Sequence, residues 1–220
     1  MIKTEGAASY SSPTTTAIIL AAGSGSRFVG NKLIAPFRGR PLVSRAIDAA
    51  SASHALNCAL VLGHDADAVL DCVDVRRCAV VRSENWSDGI AASIRAGLAH
   101  ARDADACIFL LGDQPFVTSA DLDALLLEAA RERSRLHGRT ESKTQPSIVA
   151  LRCAGVWGAP VLFPRRDFAA LERLRGDHGA KGYAQTQSLR LRFVTARDSQ
   201  AFTDIDTRAD LRALAKRNAR

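Results

Sequence analysis

Short apolar segments alternate with segments of helical spacing along this chain, and this alternation limits its fold more than any other feature. The apolar runs lie at residues 16–20, 59–62, 79–81, 106–111, 148–151 and 161–163. Strands that alternate with helices predict a mostly parallel sheet that is covered on both faces. We therefore predict an α/β fold with three layers of the Rossmann-like kind.

The helical segments between these runs have recognisable faces and starts. Residues 41–52 have helical periodicity, and Ile90, Ile94 and Leu98 share one face of a predicted helix. A second face is formed by Leu122, Leu125, Leu126 and Ala129. The pairs Thr118–Asp121 and Thr207–Asp210 have the spacing of capping boxes, so they predict helix starts at these threonines.

The 220 residues fall within the range of one α/β domain. Residues 1–15 are polar and rich in Ser, Thr and Pro, without the apolar core of a secretory signal, and we expect a flexible extension there. Residues 16–220 are predicted to form a single domain. The polar, basic stretch 133–144 is interpreted as a loop within it.

Composition excludes several classes of protein. The formal net charge of +7 favours anionic partners, but no nucleic-acid-binding motif is present and aromatic residues make up 5% of the chain. No apolar run approaches the length of a membrane span. We expect neither nucleic acid nor a membrane as a partner, although the charge keeps a nucleic-acid-binding protein as a remote alternative.

The cysteines predict reduced thiols. Their number is five, which is odd, and no CxxC pair occurs, so neither a disulfide framework nor a zinc site is expected. Several lie in apolar runs, where a buried free thiol is the common outcome. This usage favours a cytoplasmic location.

A loop rich in glycine and serine follows the first predicted strand. Residues 20–32 read LAAGSGSRFVGNK. Backbone N–H groups of such a loop can surround an anion, and Arg27 and Lys32 supply charge for a phosphate. The segment lacks the Gly-Lys-Ser/Thr end of a phosphate-binding P-loop, and Phe28 replaces the third glycine of the dinucleotide fingerprint. A plain surface turn is the alternative.

Two acidic positions have the surroundings of a metal site. Asp113 follows the most apolar predicted strand, at the edge where α/β sheets bind ligands. Asp206 directly precedes the predicted helix cap Thr207, and Asp204 competes with it for the same role. One or two carboxylates together with substrate phosphates are the usual ligands of Mg²⁺. The alternative for each acid is a capping role only.

A third feature is the predicted helix start near Gly89, with Ser93 one turn further on. Free N–H groups at a helix start attract phosphate, so this end is a candidate for nucleotide contact. Contact with solvent alone is the alternative.

In this order along one chain, these features resemble the nucleotidyltransferases that include the molybdenum cofactor enzymes, from about residue 16 to residue 214. Four segments are similar to the cytidylyl-transferring branch, the CTP:molybdopterin cytidylyltransferases: LAAG at 20–23, ENW at 84–86, GDQP at 112–115 and GDHGAK at 176–181. The chain departs from the family at Ala159, where a His or Asn is common.

The resemblance implies a fold of the nucleotide-diphospho-sugar transferase type and a role for each matched residue. Lys32, Arg27 and Asp113 would be catalytic, and Asp113 and Asp206 would hold Mg²⁺, with Mn²⁺ as an alternative ion. The residues implied in nucleotide binding are Leu20, Ala21, Ala22, Gly23, Gly25, Arg27, Lys32, Gly89, Ser93 and Asp113. Those implied in acceptor binding are Gln114, Pro160, Asp177 and Lys181.

The implied reaction joins CMP from CTP to molybdopterin and releases pyrophosphate. A molybdenum enzyme or its chaperone would receive the product. Three alternatives stay open: transfer from GTP, another acceptor such as methylerythritol phosphate or a sugar phosphate, and a nucleotide- or cofactor-binding chaperone without turnover.

Overall fold

The computed structural model describes residues 14–54, 57–137 and 145–216. Nine strands occur in these ranges: β1 (Thr15–Ala21), β2 (Pro36–Phe37), β3 (Arg40–Pro41), β4 (Asn57–Leu62), β5 (Ala79–Arg82), β6 (Ala106–Leu111), β7 (Ile148–Cys153), β8 (Val156–Pro164) and β9 (Leu191–Thr195). Strands β2 and β3 form a small hairpin, and the other seven form one sheet.

The sheet has the order β5-β4-β1-β6-β8-β7-β9. Strand β1 pairs in parallel with β4 on one side and with β6 on the other, so Ile18 lies between Ala59 and Phe109. Strand β8 is antiparallel to both of its neighbours. Because β1, β4 and β6 run in the same direction, their carboxyl ends meet at one edge of the sheet.

Seven α-helices accompany the sheet in the described ranges: α1 (Ser44–Ala52), α2 (Ala66–Leu70), α3 (Ile90–His100), α4 (Ser119–His137), α5 (Phe168–Leu171), α6 (Ala180–Thr186) and α7 (Arg208–Lys216). Successive residues of β1 point to opposite sides. Ile19 packs with α1, α2 and α4, whereas Ile18 packs with α3, α5 and α6. The predicted α/β fold with three layers and a mostly parallel sheet is confirmed.

Both predicted helix faces and both predicted caps are present. Ile94 and Leu98 are buried on α3, as are Leu122 and Leu125 on α4. The Thr118 hydroxyl donates to the Asp121 carboxylate over 2.7 Å, and the Asp121 N–H donates back to that hydroxyl. Thr207 and Asp210 form the same reciprocal pair before α7.

Three predicted boundaries differ from the structure. Helix α1 begins at Ser44, because Pro41 belongs to β3. Strand β1 begins at Thr15, which the prediction had placed in the flexible extension. Residues 1–13 of that extension lie outside the described residues. Helix α4 continues to His137, which corrects the predicted loop at 133–137, and the rest of that loop, 138–144, is also outside them.

The prediction for the cysteines was wrong for one pair. Cys58 and Cys78 form a disulfide, with their Cα atoms 4.5 Å apart. Strands β4 and β5 are parallel neighbours in which Ala59 lies opposite Ala79, so the preceding residues lie side by side. Cys107 is a buried free thiol, as predicted, and burial raises its pKa. None of the described helices combines the length and apolar character needed to cross a bilayer.

Candidate active site

Two adjoining cavities open at the carboxyl ends of β1 and β6. The first has a volume of about 520 Å³ and lies over the loop that follows β1. The second, of about 250 Å³, lies beside it over β8 and the start of α6. Leu20, Ile90 and Leu111 contribute to the walls of both cavities. Ligands in the two cavities would therefore lie next to each other.

The loop after β1 turns back on itself at Gly25. The Phe28 N–H donates to the Gly25 carbonyl over 2.7 Å, and Gly25 has a φ of +58°, in the left-handed region that favours glycine. A Cβ at this position would lie 3.3 Å from the Cγ and Cδ atoms of Lys32. The glycine thus leaves room for the lysine to reach the cavity.

Four charged side chains, which we call the rim cluster, meet at the mouth of the first cavity. The Lys32 ammonium lies 2.5 Å from the Asp113 carboxylate and 3.4 Å from that of Asp206. Arg27 pairs with Asp206 over 2.8 Å, and its side chain is 73% exposed. Two cations and two anions are therefore gathered within reach of one point.

Hydrogen bonds between loops hold the two acids in place. The Ile205 N–H donates to the Asp113 carbonyl over 3.1 Å, which ties the segment before α7 to the end of β6. The Asp206 and Thr207 N–H groups donate to Asp210 over 3.3 and 2.8 Å. Hydrogen bonds from Thr207 hold the pKa of Asp210 below its ordinary value, so the cap stays ionised.

Asp204 and Asp206 have different surroundings. Asp206 contacts Lys32 and Arg27, whereas Asp204 lines the second cavity and accepts a hydrogen bond from the Gln114 amide over 2.8 Å. Burial raises the pKa of Asp204, and the nearby Asp113 and Asp206 add to this. Of the two competing acids, the structure places Asp206 in the rim cluster.

The donors of the rim cluster fit a hard divalent cation. Within the described ranges, no group of three or more His, Cys, Asp or Glu side chains is arranged to hold a metal. Asp113 and Asp206 nevertheless face a common point, because one ammonium group contacts both of them. Mg²⁺ usually needs one or two carboxylates when substrate phosphates complete its shell, so the pair is sufficient.

The start of α3 forms the opposite wall of the first cavity. Gly89 has a φ of +92°, and a Cβ there would lie 2.4 Å from the carbonyl carbon of Gly176. The Ala91 N–H donates to the Gly176 carbonyl over 3.1 Å. This close approach brings Asp177 into the lining of the first cavity, to which buried Ser93 also contributes.

The second cavity has a mixed lining. Phe109, Val161 and Phe202 form apolar walls, and Gln114 and Lys181 contribute polar atoms. Lys181 is exposed and lines the cavity, its ammonium lies 5.2 Å from the centroid of the Trp157 ring, and it makes no salt bridge within the described ranges. This space can hold a molecule with an apolar body and a negative group.

The structure gathers most of the residues that sequence reasoning assigned to nucleotide binding. The predicted residues that line the first cavity are Leu20, Ala21, Ala22, Gly23, Gly25, Lys32, Gly89, Ser93 and Asp113. Arg27 is not part of the lining and reaches the site through Asp206. These positions agree with the predicted roles, which remain predictions.

The predicted acceptor-binding residues do not all line the same cavity. Gln114 and Lys181 line the second cavity, together with Ala159. Asp177 lines the first cavity, among the predicted nucleotide contacts. Pro160 is buried in β8 after a cis peptide bond and lines neither cavity.

Sequence reasoning missed Trp157, whose indole ring forms part of the second cavity. It also missed the side chains of Ile90 and Phe109 as cavity walls, since Ile90 was interpreted only as part of a helix face and Phe109 only as part of an apolar run. A signal existed for Trp157: it is one of two tryptophans in the chain and directly precedes the Gly158-Ala159-Pro160 segment.

A comparison with protein families decides the class. Residues 17–191 match the model of the MobA-like NTP transferase domain. The chain belongs to this family. The nucleotidyltransferase assignment is therefore established at the level of the family, and the fold is the nucleotide-diphospho-sugar transferase type.

Individual relatives of this MobA-like chain span nearly its whole length. Nicotine blue oxidoreductase of Paenarthrobacter nicotinovorans is 28% identical over 196 residues, which cover 89% of this chain and 93% of that protein. The crystal structure of Rv0371c from Mycobacterium tuberculosis H37Rv has a TM-score of 0.73 and 29% identity, covering 93% and 99% of the two chains. A manganese complex of Rv0371c has a TM-score of 0.70 and 26% identity, with the same coverage.

Proposed function

We propose that this chain transfers CMP from CTP to molybdopterin and releases pyrophosphate. The observation that carries the proposal is the rim cluster, in which Lys32 lies between Asp113 and Asp206 at the mouth of a cavity of about 520 Å³. A second cavity adjoins the first, as a two-substrate reaction requires. The choice of CTP and molybdopterin depends on the LAAG, GDQP and GDHGAK segments.

The chemistry needs charge neutralisation more than proton transfer. The attacking group is a phosphate, which is already anionic at neutral pH, so no general base has to activate it. Positioning of the two substrates and stabilisation of charge then supply most of the acceleration. Lys32 would stabilise charge that develops at the α-phosphate. Arg27, whose side chain is 73% exposed and pairs with Asp206, would contact the departing pyrophosphate.

The proposed metal ion is Mg²⁺, held by Asp113 and Asp206. When bound, it would neutralise phosphate charge and orient the phosphate oxygens. The related Rv0371c forms a manganese complex, which supports a divalent cation and keeps Mn²⁺ as an alternative. Lys32 and Arg27 contact the same carboxylates, so we expect them to move onto the phosphates when substrate and metal bind.

A redox function is the second candidate, because a relative that covers 89% of this chain is named an oxidoreductase. Two features favour nucleotidyl transfer. Lys32, Asp113 and Asp206 are all present and in contact. The loop after β1 has Phe28 where a dinucleotide fingerprint has its third glycine.

The test is pyrophosphate release by the purified protein with Mg²⁺ and molybdopterin, compared across CTP, GTP, ATP and UTP. We expect release with CTP, and loss of release when the metal is chelated. Release with GTP alone would replace the cytidylyl assignment by a guanylyl one and leave the chemistry intact. Absence of release with all four nucleotides would overturn the proposal; methylerythritol phosphate and a sugar phosphate are then the next acceptors, because Ala159 departs from the family pattern.

The proposal also covers the protein that receives the product and the location in the cell. A molybdenum enzyme or its chaperone would receive the dinucleotide product, and the location would be the cytoplasm. Co-purification of the protein with such an enzyme, compared in the presence and absence of CTP, tests the first of these.

A further inference from the structure

The start of α3 is already surrounded by protein groups and offers little to a phosphate. The Ala91 N–H donates to the Gly176 carbonyl over 3.1 Å. The Ala92 N–H donates to the Gly89 carbonyl, also over 3.1 Å. The Asp177 carboxylate lies beside Gly89, because its Oδ1 atom is 2.6 Å from the position that a Cβ on Gly89 would occupy. A negative side chain repels a phosphate at this place, so we expect the triphosphate at the cations of the rim cluster.

Two polar side chains of the first cavity beside α3 have no protein partner. Asp177 lines the cavity, is exposed, and makes no hydrogen bond or ion pair with another described residue. Ser93 lines the same cavity and is 5% exposed. The Ser93 hydroxyl also lacks a hydrogen-bond partner among the described residues, and its Oγ atom is not fully enclosed. An unpaired hydroxyl on a buried residue that lines a cavity indicates a ligand with hydrogen-bonding groups.

The lining around these two groups is largely apolar. Trp86 and Ile90 lie close to Gly89 in the chain and line the first cavity, as does Leu20. A phosphate or a ribose would bring polar oxygens against such side chains. A nucleobase has apolar faces and a hydrogen-bonding edge, which is the combination that apolar cavities with a few polar groups bind. The part of a nucleotide that fits beside α3 is therefore its base.

We propose that Asp177 selects the nucleobase, because its carboxylate accepts a hydrogen bond from the exocyclic amino group of cytosine. This inference depends on the proposed function for the identity of the nucleotide. It assigns Asp177 to the nucleotide, whereas the family resemblance implied acceptor binding for this residue. The amino group of the base is the donor, and the carboxylate is the acceptor.

The same contact rejects uracil. An ionised carboxylate only accepts hydrogen bonds, and uracil has a carbonyl oxygen where cytosine has its amino group. UTP would thus place two acceptors against each other without a proton between them, which leaves both unpaired. Adenine and guanine also carry amino groups, so Asp177 distinguishes CTP from UTP and does not distinguish CTP from the purine nucleotides.

Nucleotide binding to the first cavity can be observed without turnover. The chain has two tryptophans, and Trp157→Phe leaves Trp86, which lines the first cavity, as the remaining one. Quenching of Trp86 fluorescence by CTP or UTP, with Mg²⁺ and without an acceptor, gives the two dissociation constants. We expect the parent protein in this background to bind CTP at least about tenfold more tightly than UTP.

Asp177→Asn should remove this preference. The amide has an oxygen that accepts and an NH₂ group that donates, so it can pair with the amino group of cytosine or with the carbonyl of uracil. We expect the dissociation constant for CTP to rise and that for UTP to fall, until the two differ by less than about threefold. A merely structural role of Asp177 would change both constants alike and leave their ratio unchanged.

Asp88→Asn is the matched control. Asp88 precedes Gly89, so its substitution removes the same charge near the same helix start. It is exposed and lines neither cavity. The ratio of the CTP and UTP dissociation constants should stay at the parental value in this variant.

The outcomes separate this inference from the proposed function. A parental ratio in Asp177→Asn would overturn the role of Asp177, whether or not the protein releases pyrophosphate. An equal loss of affinity for CTP and UTP would place the ribose at Asp177 and would also overturn it. Loss of the preference in a protein that releases no pyrophosphate with any nucleotide would support the role of Asp177 and overturn the proposed function. Binding of neither nucleotide by the parent protein would overturn both.

Discussion

Carboxylates pair with Lys or Arg side chains in two separate clusters of this fold, and the two clusters have different roles. In the rim cluster, Lys32 and Asp113 are 13% and 19% exposed, and Asp206 is 32% exposed. A second set, which we call the buried cluster, joins Asp167 and Arg190, whose side chains are 2% and 12% exposed. The rim cluster is open to a ligand, whereas the buried cluster is enclosed.

The Asp167 carboxylate of the buried cluster is surrounded by protein donors, although the Arg190 Nε atom has no hydrogen-bond partner among the described residues. Asp167 accepts from the Tyr183 hydroxyl over 2.6 Å and from two nitrogens of Arg190 over 2.5 and 3.2 Å. Arg190 also donates to the Pro146 carbonyl over 2.8 Å. These contacts connect α6 to the segments before β7 and β9. The comparison indicates that ion pairs stabilise this fold where they are buried and remain available for substrate where they reach the edge of the sheet.

The largest effect is expected from breaking the buried cluster. Asp167→Ala leaves the Arg190 guanidinium almost enclosed without its counter-ion, and loss of one partner of such a pair costs about 3–5 kcal/mol. Denaturant unfolding measures this change. Asp48→Ala is the control, because it removes the partner of Arg40 in a pair that is half exposed, and we expect at most about 1 kcal/mol there. Equal losses in the two variants would contradict the distinction.

A substitution in the rim cluster should mainly lower the rate of the reaction and leave the fold unchanged. Lys32→Ala removes a preorganised positive charge, and loss of such a contact typically costs about 3 kcal/mol in the barrier. We expect turnover of CTP and molybdopterin to fall at least a hundredfold, with the circular dichroism spectrum unchanged. Arg82→Ala, which removes the partner of Asp67 in an exposed pair, should retain full turnover. Near-parental turnover in Lys32→Ala would exclude the proposed role.

Much of the fold and part of the site followed from local sequence patterns. The apolar run 106–111 predicted β6 with its observed bounds, and the capping-box spacing placed the starts of α4 and α7. Because parallel strands end at one edge, the position of Asp113 after β6 could be predicted without knowledge of the tertiary structure. Lys32 and Asp206 were candidates from their local sequence, and the resemblance assigned their roles; they lie 174 residues apart, and the structure brings them into contact.

The features that could not be predicted depend on the register between neighbouring strands and on contacts between segments that are distant in the chain. The pairing of Cys58 with Cys78 follows from the register of β4 against β5, which no single-strand pattern contains. Asp177 lines the first cavity because Gly89 lets the 176–179 segment come close to α3, a contact between distant parts of the chain. Strand β9 was missed because its exposed and half-buried residues lack a clear alternation.

The smallest expected effect is a change in stability with pH that is caused by the ionisation of Tyr183, which donates to Asp167 of the buried cluster. Burial, together with the hydrogen bond to Asp167 and the negative charge of that residue, raises the pKa of Tyr183 from 10.0 to about 12. Since the folded protein holds this proton more tightly than the unfolded chain, the associated stability is fully present below pH 10.0 and is lost as the pH rises through about 12. Tyr10→Phe leaves Tyr183 as the remaining tyrosine for a spectrophotometric titration.

The control for this titration is Asp167→Asn in the Tyr10→Phe background. The amide keeps the shape of the carboxylate and still accepts from the phenol, but it removes the negative charge. We therefore expect the pKa of Tyr183 to move from about 12 part of the way towards 10.0, while burial keeps it above that value. A pKa that does not change would mean that burial and the hydrogen bond cause the shift, without a contribution from the charge of Asp167. A pKa of 10.0 in the parent protein would show that the hydroxyl is not enclosed with Asp167, and would weaken the contrast between the two clusters.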